Sequence, residues 1–178
     1  MIPPAPTPPE KALKRVLTLS RLNGWSVVII AGLGVLLALL LLDPLGTAVG
    51  LLAAASGWME LRGHRQLRRR DPAGMKWLVR AQLFLLAVVL AYCTSRLGSF
   101  DAESMMSNLT PDMETLLKEG GIERADILPL VHKFFLAWYG GVALVCILYQ
   151  GGLALYYRKK IPLVTAALAT PPVPPPPA

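Results

Sequence analysis

Apolar residues run along this chain in four long blocks, rather than at the spacing of a helix with one apolar and one polar face. No charged residue occurs between Gly24 and Leu42. At a rise of about 1.5 Å per residue, a helix of this length crosses a hydrocarbon layer of roughly 30 Å. Its length and the long segment before it favour an uncleaved helix over a secretory signal. The blocks predict four transmembrane helices, at residues 25–42, 45–61, 77–97 and 134–157.

The two middle blocks are shorter than the roughly 20 apolar residues of a typical span, so their prediction depends on the segments beside them. A tight turn with the sequence "DPLG", residues 43–46, separates the first two blocks. Asp71 followed by Pro72 is the pattern of a helix start. We therefore expect the second and third helices to form an antiparallel hairpin whose turn lies at residues 70–71.

The connection between the third and fourth blocks, residues 98–131, is too long to be a bare loop in a compact protein. Thr110 and Pro111 suit the start of a helix in this connection, and Gly120 suits its end. The pattern predicts a short extracytoplasmic helical segment here. It also predicts a fourth helix that begins before its span and continues for about 30 residues or more.

Both ends of the chain are rich in proline. Residues 1–23 are predicted to form a Pro-rich tip followed by an amphipathic helix, which lies on the anionic cytoplasmic leaflet. Its apolar face contains Leu13 and Val16, and it is expected to end at Asn23–Gly24; a frayed lead-in to the first span is the alternative. Residues 161–178 are predicted to form a Pro-rich cytoplasmic tail, with a docking peptide for an aromatic-lined groove as the alternative.

Lysine and arginine predict the orientation of the four helices, because short loops rich in these residues stay in the cytoplasm. Of 18 such residues, most lie before the first block, between the second and third, and after the fourth. The connection 98–131 instead carries mainly acidic residues. Both termini are therefore expected in the cytoplasm. The residues on the predicted cytoplasmic side are Lys11, Lys14, Arg15, Arg21, Arg62, Arg65, Arg68, Arg69, Arg70, Lys76, Arg80, Arg158, Lys159 and Lys160.

Composition agrees with a membrane location. Hydrophobic residues make up 54% of the chain and charged residues 16%, below the about 25% charged residues of soluble proteins. The sequence thus predicts an all-α integral membrane protein of a bacterial-type inner membrane. Its four-helix transmembrane domain is expected at residues 24–160, in an N-in/C-in arrangement.

Small residues recur at a spacing of three or four in the second block, and the fourth contains two pairs of glycines; such residues let membrane helices approach closely. We expect these faces to pack within the chain, with packing between copies as the alternative. The second block contains Gly46, Gly50, Ala54 and Gly57, and the fourth contains Gly140, Gly141, Gly151 and Gly152.

Polar residues inside predicted spans are the candidate functional residues, because they are costly to place in a bilayer. Glu60 and Gln82 lie near the cytoplasmic ends of their helices. For Glu60 we expect an ion pair with Lys76 or Arg80, and a proton-coupling carboxyl group is the alternative. Gln150 is expected to form an interhelical hydrogen bond, with a substrate contact as the alternative.

Other chemistry has little support in the sequence. The two cysteines lie at different predicted depths, the two histidines offer no metal site, and no set of catalytic residues is recognisable. We expect no cofactor, no metal and no enzymatic activity. The turn between the second and third spans is too short for a nucleic-acid surface, so its arginines are expected to contact anionic lipid headgroups. They are Arg65, Arg68, Arg69 and Arg70.

These observations predict a small polytopic inner-membrane protein that is a non-enzymatic accessory, scaffold or assembly component. The expected partners are the anionic cytoplasmic leaflet and either another membrane protein or further copies of this chain. A small oligomeric transporter or channel subunit is the alternative. No acidic or basic residue lies at the centre of a predicted span, which disfavours ion-coupled transport.

Overall fold

A computed structural model describes residues 8–100 and 124–170, and its regular structure within those residues is helical throughout. Helix α1 is Pro8–Leu40, α2 is Pro44–Arg68 and α3 is Ala73–Gly98. Helices α4, Arg124–Cys146, and α5, Gly152–Ala169, are joined by a π-helical turn, Ile147–Gly151. The all-helical prediction is therefore confirmed. The predicted helix at residues 110–120, the N-terminal tip and the final Pro-rich residues lie outside the described residues.

The described residues belong to two compact units. One unit, which we call the main unit, comprises residues 8–89 and 147–170; the second comprises residues 90–100 and 124–146. In the second unit the ring of Tyr139 lies edge-on to that of Tyr92 at 6.0 Å between centroids. The ring of Phe135 is also within 4.6 Å of that of Tyr139, so aromatic contacts hold α4 against the end of α3.

Three helical segments of the described chain are long and apolar enough to cross a membrane: Pro8–Leu40, Ala73–Gly98 and Ile127–Ala169. Helix α2 is not among them, although it has 25 residues. Its predicted span, residues 45–61, is rich in glycine and alanine and is followed at once by arginines. The predicted fourth span, in α2, is therefore not supported by hydropathy, and three candidate spans remain in the described residues.

Short turns join the first three helices, and an aspartate stands at the end of each turn. Asp43 accepts a hydrogen bond from the backbone N–H of Gly46 at 3.0 Å, and Pro44 occupies the first position of α2. Asp71 accepts from the N–H of Ala73 at 2.9 Å, so the predicted helix start at this aspartate is confirmed. Arg70, immediately before it, has a φ of 63°, which reverses the chain direction.

The predicted end of a helix at Asn23–Gly24 is wrong, because α1 continues through both residues to Leu40. Gly24 is needed there for close packing. A Cβ atom at Gly24 would lie 2.9 Å from a methyl group of Leu61, and one at Gly57 would lie 3.0 Å from the carbonyl oxygen of Gly24. Gly50 similarly contacts the Val35 side chain. The small residues of α2 thus pack within the chain, against α1.

The glycines of the fourth span differ from those of α2. At all four positions, a Cβ atom would meet no atom of the described residues within 4 Å. The expectation of packing within the chain is therefore not met for these glycines among the residues described. They are Gly140, Gly141, Gly151 and Gly152.

The main unit has its apolar core at the end of the helices that is rich in basic residues. Val16, expected to face the bilayer surface, has no exposed area and packs in this core with residues of α2, α3 and α5. Residues 161–169, predicted as part of a tail, are helical and contribute the fully buried Val164. Both expectations were wrong because apolar residues of the N-terminal segment and of residues 161–169 pack into the same core. The core comprises Val16, Leu67, Met75, Leu78, Leu153, Tyr157 and Val164.

Candidate functional site: a buried polar layer

Each of the four helices in the main unit carries at least one buried polar side chain close to a basic residue. Each of these polar side chains lies within one helical turn of an arginine of the same helix. We call them the polar layer. Asn23 follows Arg21 in α1, Glu60 precedes Arg62 in α2, Gln82 follows Arg80 in α3, and Tyr157 precedes Arg158 in α5.

The carboxyl group of Glu60 is the centre of the polar layer. Glu60 is 1% exposed. The side-chain amide of Asn23 donates a hydrogen bond to one carboxyl oxygen at 2.6 Å, and the hydroxyl of Tyr157 donates to the other at 2.9 Å. The side chain of Gln82 also hydrogen-bonds the carboxyl group. Glu60 therefore bonds to neutral groups on all three other helices of the layer.

A second tyrosine extends this network. Tyr149, in the π-helical turn, donates from its hydroxyl to Oδ1 of Asn23 at 3.0 Å. This bond orients the Asn23 amide, because its oxygen accepts from Tyr149 while its nitrogen donates to Glu60. A π-helical turn accommodates an extra residue in a helix and often occurs at functional sites. Here it contains the tyrosine that fixes the orientation of the Asn23 amide.

The expected ion pair of Glu60 with Lys76 or Arg80 is not present. Both basic side chains are exposed, whereas Glu60 is buried and its bonds go to Asn23, Tyr157 and Gln82. The physical reason is that an exposed cation keeps its hydration, which it would lose beside a buried carboxyl group. Neutral donors satisfy that group without this cost.

The two glutamines singled out in the sequence are both buried, with 1% of Gln82 and 7% of Gln150 exposed. Their Oε1 atoms accept no hydrogen bond from the described residues. Gln150 lies in the π-helical turn, next to Tyr149. Since a buried polar oxygen without a partner is costly, a further donor or a cation at either oxygen would be favourable.

The four arginines of the predicted lipid surface have different surroundings. Arg70 donates to the carbonyl oxygens of Ala167 at 3.2 Å and Leu168 at 3.3 Å, and also bonds that of Thr170. It therefore caps the end of α5, where helix carbonyl groups lack partners. The Arg65 guanidinium instead lies 4.9 Å from the ring centre of Trp58. Arg68 and Arg69 are exposed.

Beside the layer, His64 of α2 lies against α1. Its Nδ1 is 3.1 Å from the hydroxyl of Ser20, which has no exposed area. Burial and the nearby Arg68 guanidinium lower the pKa of His64 below its ordinary value of 6.5. Both effects disfavour a charged imidazole. The ring is consequently held neutral at neutral pH.

Sequence reasoning found Glu60 and Gln82 but did not find Asn23, Tyr149 or Tyr157. Asn23 was interpreted as a helix break, and the two tyrosines as ordinary residues of a span. One signal was present in the sequence: each helix has a polar residue next to its basic flank. Applied to all four helices at once, that pattern predicts the layer.

The chemistry available to this site is limited. Within residues 8–100 and 124–170, no group of three or more histidine, cysteine or acidic residues is placed to hold a metal ion. Cys93 and Cys146 are free thiols. The layer can hold a proton at Glu60 and can bind helices together through hydrogen bonds.

No family model matches this sequence, and neither a curated protein nor a solved structure shows significant similarity to it.

Proposed function

We propose that this chain is a non-enzymatic accessory or scaffold component of a bacterial-type inner membrane, which acts by assembling with another membrane protein. In this proposal α2 is a fourth span, both termini lie in the cytoplasm, and the polar layer holds the four helices together. The basic flanks of α1, α2, α3 and α5 support this orientation.

The observation that carries the proposal is the exposure of the last apolar segment. In the most apolar 18-residue stretch of Ile127–Ala169 no residue is buried, compared with 22% in Pro8–Leu40 and 33% in Ala73–Gly98. Within it, Gly140 and Gly141 have open space around them. Among the described residues this span is thus the least buried of the three, and a span with small residues and an exposed surface is suited to receive a helix of another protein.

The hydrogen bonding of Glu60 supports a structural role over transport. Its two carboxyl oxygens are engaged by Asn23 and Tyr157. A carboxyl group that carries ions or protons along a path has to exchange partners, and here exchange would break bonds between helices.

Site-specific photocrosslinking tests the proposal. A photoreactive phenylalanine analogue replaces Leu144, which lies one turn from Gly140 and is 57% exposed. The matched control carries it at Leu83 in α3, which is 52% exposed and has no glycine within one helical turn. We expect one discrete protein adduct from position 144 and only lipid adducts from position 83, identified by mass spectrometry after purification in mild detergent.

Absence of any protein adduct at position 144, or the same adducts at both positions, would refute the proposal. An adduct with the mass of two copies of this chain would favour the oligomeric alternative.

Cysteine labelling tests the four-span arrangement. In a background with Cys93→Ala and Cys146→Ala, single cysteines replace Arg68 and Glu114. A membrane-impermeant maleimide is expected to label position 114 in intact spheroplasts and position 68 only after permeabilisation. Labelling of position 68 in intact spheroplasts would refute the orientation.

A transporter or channel subunit is the second candidate, favoured by the unbonded Oε1 atoms of Gln82 and Gln150. These oxygens could line a polar path. If this is the function, Gln150→Leu or Glu60→Gln abolishes a measured flux while the amount of protein in the membrane is unchanged. If neither change alters any flux, this candidate is excluded.

A further inference from the structure

Helix α2 carries a cavity of about 320 Å³ outside the polar layer, lined by Trp58, Arg62, Arg65, Gln66 and Arg69. Three of the five residues are arginines, and their spacing of three and four places them along one face of the helix. The cavity lies between the apolar part of α2 and its basic end. We call it the arginine cavity.

Aromatic rings hold two of the three guanidinium groups. The Arg65 guanidinium carbon lies 4.9 Å from the ring centre of Trp58, and that of Arg62 lies 4.8 Å from the ring centre of Trp77. A guanidinium group that stacks on a ring uses its face, so the N–H donors in its plane stay available. The rings therefore hold both guanidinium groups in position and leave their N–H donors available to a ligand.

The arginine cavity has no negative charge of its own. None of its lining residues is acidic. The acids nearest in sequence are engaged elsewhere: Glu60 by Asn23 and Tyr157, and Asp71 as the cap of α3. Three guanidinium groups on one helix face repel one another. An anion from outside the chain therefore stabilises this arrangement.

The position of the cavity indicates the kind of anion. Trp58 is 59% exposed, and tryptophan beside arginine is typical of the level of lipid headgroups. Phosphate oxygens there match the planar donor pattern of arginine, and basic pockets at helix ends on the cytoplasmic side bind anionic headgroups. Arg70 is excluded from this role because it caps α5.

We propose that the arginine cavity is a binding site for the phosphate group of an anionic phospholipid, with Arg62, Arg65 and Arg69 as its ligands and Trp58 as a positioning residue. Three cations exceed the charge of a single phosphodiester. A lipid with two phosphate groups therefore binds more tightly than one with a single phosphate. The site rests on the proposed placement of α2 in the membrane but does not require a protein partner. It separates the lipid-binding arginines of the basic turn from Arg70, which caps α5.

Native mass spectrometry of the full-length protein in detergent tests the site by titration with phosphatidylglycerol, diphosphatidylglycerol and zwitterionic phosphatidylcholine. The site variant is Arg65→Gln with Arg69→Gln. The control is Arg68→Gln with Arg158→Gln, which removes the same charge from exposed residues outside the cavity. We expect the site variant to weaken anionic lipid binding about 10-fold or more and the control to change it less than about 2-fold.

Equal losses in the two variants would overturn the proposal, because they would mean general charge attraction. Equal binding of phosphatidylcholine would also overturn it. Competition by inorganic phosphate or glycerol phosphate at the same concentration as the lipid would assign the site to a soluble phosphate compound instead.

A second pair of variants leaves the charge unchanged. Trp58→Leu removes the ring that holds Arg65, whereas Trp25→Leu removes a similarly exposed tryptophan from α1. We expect a loss of about 2- to 5-fold for Trp58→Leu only, since cation–π contacts at exposed sites are worth about 0.5–1 kcal/mol. No difference between the two would mean that the ring does not position the site.

Discussion

At the scale of single residues, the Tyr157 hydroxyl contributes to stability, because its removal leaves an oxygen of the buried Glu60 without a donor. Tyr157→Phe is expected to lower stability by about 1–3 kcal/mol. Tyr156→Phe is the control, since the adjacent ring keeps its contact with Lys160. Thermal unfolding in detergent measures both. Equal shifts would show that the hydroxyl contributes nothing specific.

His64 predicts a pH dependence. The folded protein favours its neutral ring because the pKa is lowered. The folded state consequently binds fewer protons than the unfolded state as the pH falls below about 6.5. We expect the stabilisation from His64 to be complete above that pH and to be lost progressively below it. In His64→Gln the melting temperature should therefore change less between about pH 7.5 and 5.5 than in the unchanged protein.

The control for this effect is His132→Gln, which changes an exposed histidine of α4. It should retain the pH dependence of the unchanged protein. The same reduction in both variants would assign the effect to histidine content rather than to the contact between His64 and Ser20.

At the scale of helices, α1 and α2 depend on glycine for their close contact. A Cβ atom at Gly57 would lie 2.8 Å from the Val28 side chain and 3.1 Å from its backbone nitrogen. Gly57→Ala is therefore expected to destabilise the protein by about 1–3 kcal/mol. Gly34→Ala, where nothing lies within 4 Å, should be neutral or stabilising because alanine favours helix. Thermal unfolding of both variants tests this, and destabilisation by Gly34→Ala alone would contradict it.

The helices themselves could largely be predicted, because blocks of apolar residues and the aspartates before Pro44 and Pro72 are local signals. What could not be predicted was the role of Asn23–Gly24. Asparagine followed by glycine usually ends a helix in water. Here Gly24 instead allows α2 to approach α1 closely, and Asn23 hydrogen-bonds Glu60. Both functions depend on a distant helix, and a local pattern contains no information about it.

At the scale of the whole molecule, residues 161–169 complete the core of the main unit. Val164 is fully buried there, and Arg70 bonds the carbonyl groups at the end of α5. A chain that ends after Lys160 is expected to melt about 5 °C or more below the full chain, since it loses buried apolar area and a helix cap. A chain that ends after Thr170 should melt like the full chain.

Comparing the two shortened chains separates the contribution of helical residues 161–169 to stability from that of the proline-rich residues that follow. Equal melting of both shortened chains and the full chain would contradict a role for α5 in the core. The segment was predicted as a tail because Pro162 and the later prolines are local signals against a helix. Its burial comes from residues on α1, which precede it by more than a hundred positions in the chain.

The separation of Glu60 from its donors has a consequence for biosynthesis. Asn23 precedes Glu60 in the chain, so the α1–α2 hairpin contains a donor for one carboxyl oxygen as soon as both helices have been synthesised. Tyr157 follows 97 residues later. Until Tyr157 is made, this oxygen lacks its final donor, and a buried oxygen without a donor is costly. The hydrogen bond from Tyr157 therefore forms only after the last helix has been synthesised, so the four-helix arrangement is completed late.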